Sequence, residues 1–284
     1  MNKKLAWIAL LAATGAQAAD WSDTALTYRQ GSAFAEPFNT KDISKNILGL
    51  THASGYKYGS NFFNADFLMS DSKDPASADS RTGAQEVYAI YRNTVDLSKV
   101  TGNEYKFGIV RGLGVTGGFD FNSKADAGYN SKKRMFVVGP TLMLDVPGFL
   151  NVSLLELFES NSPYSTYTNT GVDRYTYKSH PMLGVTWGIP FSVASVPLSF
   201  EGYANFIASK GKDEFGGNTA AETNIDMQVM YDISGTKTFK VGVEYQYWKN
   251  KFGNPTTAVT DSSTGKAGPG AFAKTPMIRA EYHF

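Results

Sequence analysis

The chain has 284 residues, no Cys, and 27 Lys plus Arg against 26 Asp plus Glu. That length allows one or two domains, the missing thiols exclude disulfides, thiolate metal sites and Cys nucleophiles, and the charge balance excludes a strongly basic nucleic-acid binder. An apolar share of 42% excludes a disordered chain. The absence of any 18-residue apolar run beyond the first twenty residues excludes a helical membrane protein. Transmembrane β-barrels pass both tests, because their lipid-facing residues alternate with polar ones.

Residues 1–19 read MNKKLAWIALLAATGAQAA. Lys3 and Lys4 supply a positive start, Leu5 to Ala13 a short apolar core, and Ala16-Gln17-Ala18 a small-x-small cleavage site, the pattern of an export signal. Cleavage is expected after Ala18 or one residue later, which leaves residues 19–284 as one outer-membrane β-barrel. A retained anchor helix is opposed by the shortness of the apolar run. Losing two lysines leaves 25 basic against 26 acidic residues. Export of a Cys-free chain without a mature apolar helix fits a Gram-negative cell envelope.

The mature chain then runs through segments of period two. Thr24–Gln30 and Asn46–Ala53 are weak strands. In Asn61–Ser70, Phe63, Ala65, Phe67 and Met69 oppose Asn64, Asp66 and Leu68. In Gln85–Val95, Val87, Ala89 and Tyr91 oppose Glu86, Tyr88 and Arg92. Tyr105–Val115, Met135–Asp145, Asn151–Phe158 and Tyr175–Trp187 are further weak strands, of which Met135–Asp145 and Asn151–Phe158 alternate poorly, and Arg111 falls on the apolar face of its run. Leu198–Ile207 sets Leu198, Phe200 and Phe206 against Glu201, Tyr203 and Asn205. Glu222–Tyr231 sets Ile225, Met227 and Val229 against Asp226 and Gln228. Thr238–Trp248 sets Val241, Val243 and Tyr245 against Glu244, Gln246 and Trp248. Thr275–Phe284 sets Ile278, Ala280, Tyr282 and Phe284 against Arg279, Glu281 and His283. Each clear run has the ~10 residues a tilted strand needs to cross hydrocarbon.

The expected fold is therefore an all-β, twelve-stranded antiparallel transmembrane barrel. The connections divide by length. Gly55–Gly59, Asp96–Asn103, Pro147–Phe149, Gly188–Val196 and Asp232–Lys237 are short and read as periplasmic turns. Gly31–Asp42, Asp71–Gly83, Thr116–Lys132, Ser160–Arg174, Ala208–Ala221 and Lys249–Lys274 are long, polar and read as extracellular loops. Only a closed barrel satisfies every backbone group of such strands in lipid. Twelve strands lie between a side-chain-filled barrel of eight and the wide pores of 16 to 18, so a narrow lumen is expected.

Glu36-Pro37, Gly55 to Phe63 (GYKYGSNFF), Gln85-Glu86-Val87-Tyr88 and the terminal Tyr282-x-Phe284 together resemble the nucleoside-specific channel family of Gram-negative outer membranes, the Tsx and OmpK type. The resemblance covers most of the mature chain. It implies a monomeric twelve-stranded barrel with a narrow aromatic-lined pore passing nucleosides, and outer loops used as phage or toxin receptors. Tyr282 and Phe284 resemble the terminal signal read by barrel-assembly machinery.

A nucleoside site needs an aromatic face for the base and acceptors or donors for the ribose hydroxyls and base edges. The inward faces offer Tyr88, Tyr203 and Trp248 as aromatics. Asp66, Glu86, Glu201, Asp226, Glu244 and Glu281 are acceptors, Arg92 and Arg279 donors, and Asn205 and Gln228 serve as either, with Asn64 beside them. Each can instead be lumen filling, because charges in a barrel point inward whatever the function. Asp66, Tyr88, Tyr203, Asp226, Glu244 and Arg279, near mid-strand, are the preferred contacts.

Two other functions stay open. One is a non-conducting barrel used as a surface receptor or adhesin. The other is an outer-membrane lipid hydrolase, since His52-Ala53-Ser54 resembles the His-x-Ser pattern of lipid A deacylases and would put a base and a nucleophile on one strand face. Gly55 departs from the related phospholipase pattern, and His52 falls at the periplasmic end of its strand. His180 precedes Pro181 and reads as structural. His283 has no acid–Ser partner in the sequence pattern. The Gly-rich Arg111–Gly118 run has no following helix and is not a phosphate loop. No cofactor, metal site or nucleic-acid partner is implied, and the chain reads as a passive channel rather than an enzyme.

Overall fold

The computed structural model describes residues 19–74, 83–125, 128–165, 169–257 and 267–284. The expected signal segment, and parts of four of the long connections, lie outside the described residues. Twelve long strands follow one another: β1 (Trp21–Phe34), β2 (Ile43–Tyr56), β3 (Gly59–Ser70), β4 (Gln85–Asp96), β5 (Val110–Ala125), β6 (Arg134–Leu144), β7 (Phe149–Asn161), β8 (His180–Val193), β9 (Val196–Ile207), β10 (Glu222–Asp232), β11 (Phe239–Lys249) and β12 (Phe272–His283). Each pairs antiparallel with its chain neighbour. β1 also pairs with β12, from Ala25 opposite His283 to Gly31 opposite Met277, and this closes the sheet. The fold is a closed twelve-stranded antiparallel barrel, as the alternation requires.

Register fixes which face each residue occupies, because directly paired residues point the same way. Thr27, Arg29, Lys45, Asp120, Asn122, Asp226, Gln228, Glu244, Thr275 and Glu281 are buried, whereas Leu26, Leu48, Phe67, Phe119, Phe136, Leu154, Val243 and Ile278 on the alternate positions are exposed. The buried set lines the inside and the exposed apolar set covers the outside. That inversion of a soluble core is what a transmembrane barrel needs.

The largest departures from the alternation reading fall around β5 and β8, while β1, β2 and β7 run up to four residues beyond their expected ends. The strand expected at Tyr105–Val115 is β5, Val110–Ala125, so most of the expected loop Thr116–Lys132 is strand. Its inward positions include Gly112, Gly114 and Gly118, which carry no side chain to mark a period. The connection before it is correspondingly long and contains a short helix, Leu97–Thr101, capped by the Asp96 carboxylate accepting from Ser98 N–H at 2.9 Å. The segment Tyr175–Trp187 is a two-residue pairing at Tyr175–Thr176 followed by β8, which continues to Val193. The turn expected at Gly188–Val196 shrinks to Ala194 and Ser195, both at positive φ.

β6, β7 and β8 alternate poorly because both of their faces are apolar. Met135, Val137, Leu155, Leu157 and Met182 form a buried cluster inside the barrel. Arg111 lies on the outer face, as its position in the alternation indicates. Its Nε donates to the Leu144 carbonyl at 3.2 Å, at the turn end. A long cation there reaches the polar boundary while its stem stays apolar. The lone outward carboxylate in the β6–β8 wall is Glu156, paired with Val138 and Pro181.

Candidate functional site: the barrel lumen

Every residue nominated from the sequence as a lumen group occupies an inward register position. On the β1–β3 and β9–β12 walls they form one charged ladder. Arg29 pairs with Asp66 and, at 3.3 Å, with Glu244. Arg279 reaches Glu244 at 2.8 Å and Glu281 at 2.7 Å. Gln228 donates to Glu201 at 3.3 Å and to Glu281 at 3.5 Å, and Gln246 donates to Asp226 at 3.4 Å. Lys240 lies 3.8 Å from Glu201. Below, at the turn end, His283 bridges Asp23 at 2.8 Å and Glu281 at 3.2 Å. His283 thus has two acid neighbours that its place beside the terminal Phe284 did not announce.

The opposite wall differs. Arg92 pairs with Asp120 at 2.5 Å, and the Tyr88 hydroxyl donates to Asp120 at 3.0 Å. Towards the turn end, Thr94, Thr116, Thr141 and Ser153 link β4 to β7 in a hydroxyl chain with steps of 2.8, 2.6 and 2.8 Å. The charged ladder on one wall therefore faces, on the other, the Arg92–Asp120 pair, the hydroxyl chain and the apolar cluster of Met135, Val137, Leu155, Leu157 and Met182.

The loop end is packed by ions. Glu36, from the β1–β2 connection, meets Lys45 at 2.5 Å, Lys251 at 3.1 Å and Lys124 at 3.7 Å. Asp74 adds contacts to Lys124 at 2.9 Å and Lys45 at 3.6 Å. Glu86 lies 3.9 Å from Lys45 and accepts from Asn122 at 2.5 Å. Burial alone would raise the Glu36 pKa. The charges of Lys124, Lys251 and Lys45 outweigh it and hold that carboxyl well below the usual range. Glu159 forms a second cluster with Lys210 at 2.8 Å and Lys133 at 3.6 Å. Glu214, from the β9–β10 connection, accepts from Tyr129, from Tyr177 at 2.5 Å and from Asn161 at 3.2 Å.

The three aromatic candidates fare differently. Trp248 is committed to the loop-end packing: its indole N–H donates to Glu222 at 3.1 Å and its ring meets Phe252 edge-on at 4.6 Å. Tyr88 is tied to Asp120. Tyr203 has no hydrogen-bond partner for its hydroxyl among the described residues. Asn205 lies on the same strand face two residues on, and Asp226 is register-paired with Tyr203.

His52 and Ser54 do not form a dyad. The His52 Nδ1 is 2.8 Å from the Thr24 hydroxyl, and no hydrogen bond joins His52 to Ser54. Their register partners Phe63 and Asn61 share the outer face, away from the lumen. The His180 Nδ1–H donates to the Lys178 carbonyl at 2.9 Å.

Arg29 and Asp120 are central to the lumen and escaped nomination. Arg29 stands in a weak run, where the signal was its alternation with outward Tyr28. Asp120 was hidden by the misplaced boundary of β5. Glu36, Asp74, Lys210 and Lys251 come from connections, where alternation says nothing.

No known family profile matches the chain, and no curated protein matches it in sequence. Among solved structures, the KdgM porin is similar at 10% identity, over 92% of this chain and 99% of that one, with a TM-score of 0.40. The translocator domain of the autotransporter NalP from Neisseria meningitidis is similar at 10% identity, over 99% and 95%, with a TM-score of 0.47. Salmonella typhi OmpF, in complex with daunomycin, is similar at 10% identity, over 93% and 97%, with a TM-score of 0.34. No substrate is carried over from these likenesses. The chain's own closure, outward apolar face and charged interior define a transmembrane β-barrel.

Proposed function

We propose that this barrel is an outer-membrane channel for passive diffusion of small polar solutes, with nucleosides as the favoured class. The observation that carries the reading is the two-sided lumen, a carboxylate and guanidinium ladder facing a wall of hydroxyls, apolar side chains and the Arg92–Asp120 pair. Tyr203 stands in it with a free hydroxyl beside Asp226 and Asn205. A flat base can stack on that ring, and ribose hydroxyls can donate to the nearby carboxylate. Transport down a gradient requires such contacts to be weak enough to leave as well as to enter. The outer membrane is the location expected for a closed barrel with short turns at one end and long loops at the other.

A second reading, a closed barrel used as a surface receptor, is favoured by the buried Glu36–Lys45–Lys124–Lys251 cluster at the loop end. Liposome swelling separates the two. Proteoliposomes that swell faster in uridine than in a disaccharide support the channel. Proteoliposomes that swell in neither overturn it in favour of the receptor.

A further inference from the structure

The outer face of β5, β6 and β7 carries a feature that neither a channel nor a receptor requires. Phe121, Arg134 and Ser160 are register partners, and the next row towards the turn end is Phe119, Phe136 and Phe158. The four Phe side chains are exposed, and the rings of Phe136 and Phe158 lie 6.3 Å apart. Between the two rows runs an outward cleft of about 600 Å³, with Arg134 and Ser160 at its loop-end edge.

Arg174, from the β7–β8 connection, reaches the same edge. Its guanidinium donates to the Ser160 hydroxyl at 3.0 Å and to the Lys132 carbonyl at 3.2 Å. Neither Arg134 nor Arg174 has an ion-pair partner among the described residues. Partial burial, and then the charge of Arg134, lower the Arg174 pKa, as expected of two cations held together without an acid. The Asp120 carboxylate turns inward to Arg92, and Glu156 lies one row beyond the Phe136–Phe158 pair, so neither offsets the positive edge. A lipid-facing aromatic cleft under two uncompensated guanidiniums complements one kind of molecule, an amphiphile with acyl chains and an anionic head.

We propose that this face holds a phosphorylated glycolipid of the outer leaflet, its phosphate between Arg134 and Arg174 and an acyl chain along the Phe119–Phe136–Phe158 row. The choice of leaflet rests on the outer-membrane reading above. The binding chemistry does not depend on whether the barrel conducts. Arginine suits the head because its planar fork can take two phosphate oxygens at once.

The test is native mass spectrometry of the full barrel released from detergent, titrated with diphosphoryl lipid A. The wild-type chain should retain one lipid. The Arg134→Gln/Arg174→Gln double variant should bind about thirtyfold more weakly. Both side chains are outside the packed lumen, so heat-modifiable mobility on gels should stay normal. In a second arm, wild-type protein should bind the same lipid stripped of phosphate with a similar loss, which keeps the test independent of any variant. Equal binding by the double variant, equal binding of the dephosphorylated lipid, or displacement of lipid A by equimolar inorganic phosphate would each overturn the proposal. Solute conductance is read on the same preparations, so a failed lipid site and a failed channel give different results.

Discussion

Replacing Glu36 by Gln would leave Lys251 buried with no carboxylate within 4.0 Å among the described residues, while Lys45 and Lys124 would keep Asp74. Removing one partner of a buried ion cluster costs about 3–5 kcal/mol, because the remaining charge stays desolvated. The expected result is a lower urea midpoint for the barrel in detergent at pH 7. The pH dependence has a definite sign. Glu36 has a folded pKa below its unfolded value of about 4.3. Its contribution is fully present above the unfolded value and is lost as pH falls through the folded one. Stability from this cluster should therefore be flat from pH 8 to about pH 5, begin to fall as pH drops through the unfolded value, and be fully lost only below the folded one. At mid-lumen, Tyr203→Ala removes a stacking face worth about 1–3 kcal/mol per base, so nucleoside block should weaken by about five- to 150-fold. Glucose flux through the variant should be unchanged. Glucose-like insensitivity to nucleosides in the wild type, or an unaltered block in the variant, would remove Tyr203 from the site.

The strands show where a residue pattern becomes an element and where it fails to. Gly118 on β5 is an inward position at which an added Cβ would lie 2.0 Å from the Tyr91 carbonyl oxygen, whereas at its outward neighbour Gly117 the nearest atom would be 3.8 Å away. Gly118→Val should therefore block the heat-modifiable, folded form on gels, and Gly117→Ala should not. The same glycines explain why β5 was misplaced by sequence reasoning. Period two is visible only when one face carries apolar and the other polar side chains. At Gly112, Gly114 and Gly118 one face carries none. At β6, β7 and β8 the difficulty is opposite, since the cluster of Met135, Val137, Leu155, Leu157 and Met182 makes the inside as apolar as the outside. β10, β11 and β12, whose inward residues are charged and outward residues aliphatic or aromatic, were legible to within three residues at each end. The helix Leu97–Thr101 was missed because five residues carry no helical period. Asp96→Ala should remove its cap at a cost of about 0.5–2 kcal/mol, seen as faster amide exchange at Ser98 with pore properties intact.

At the scale of the whole barrel, closure converts a two-sided sheet into two separate solvents, lipid outside and an ionic interior. The inward face of every nominated lumen residue was readable because a charge on the lipid side costs roughly 2–4 kcal/mol at mid-depth, so alternation and charge agree. Their partners were not readable. The Arg29–Asp66 and Arg29–Glu244 contacts join strands far apart in sequence, and the ions at the loop end come from connections that carry no periodic signal. Tyr282 and Phe284, 50% and 70% exposed, lie on the outer surface at the turn end. The same loop-end packing sets the question that decides between channel and receptor. It is answered by single-channel recording of the purified barrel in a planar bilayer, with adenosine and thymidine added in turn and glucose as control. The account predicts a small conductance that both nucleosides block and glucose does not. A pore indifferent to all three would contradict the nucleoside site, and a membrane that never conducts would contradict the channel itself.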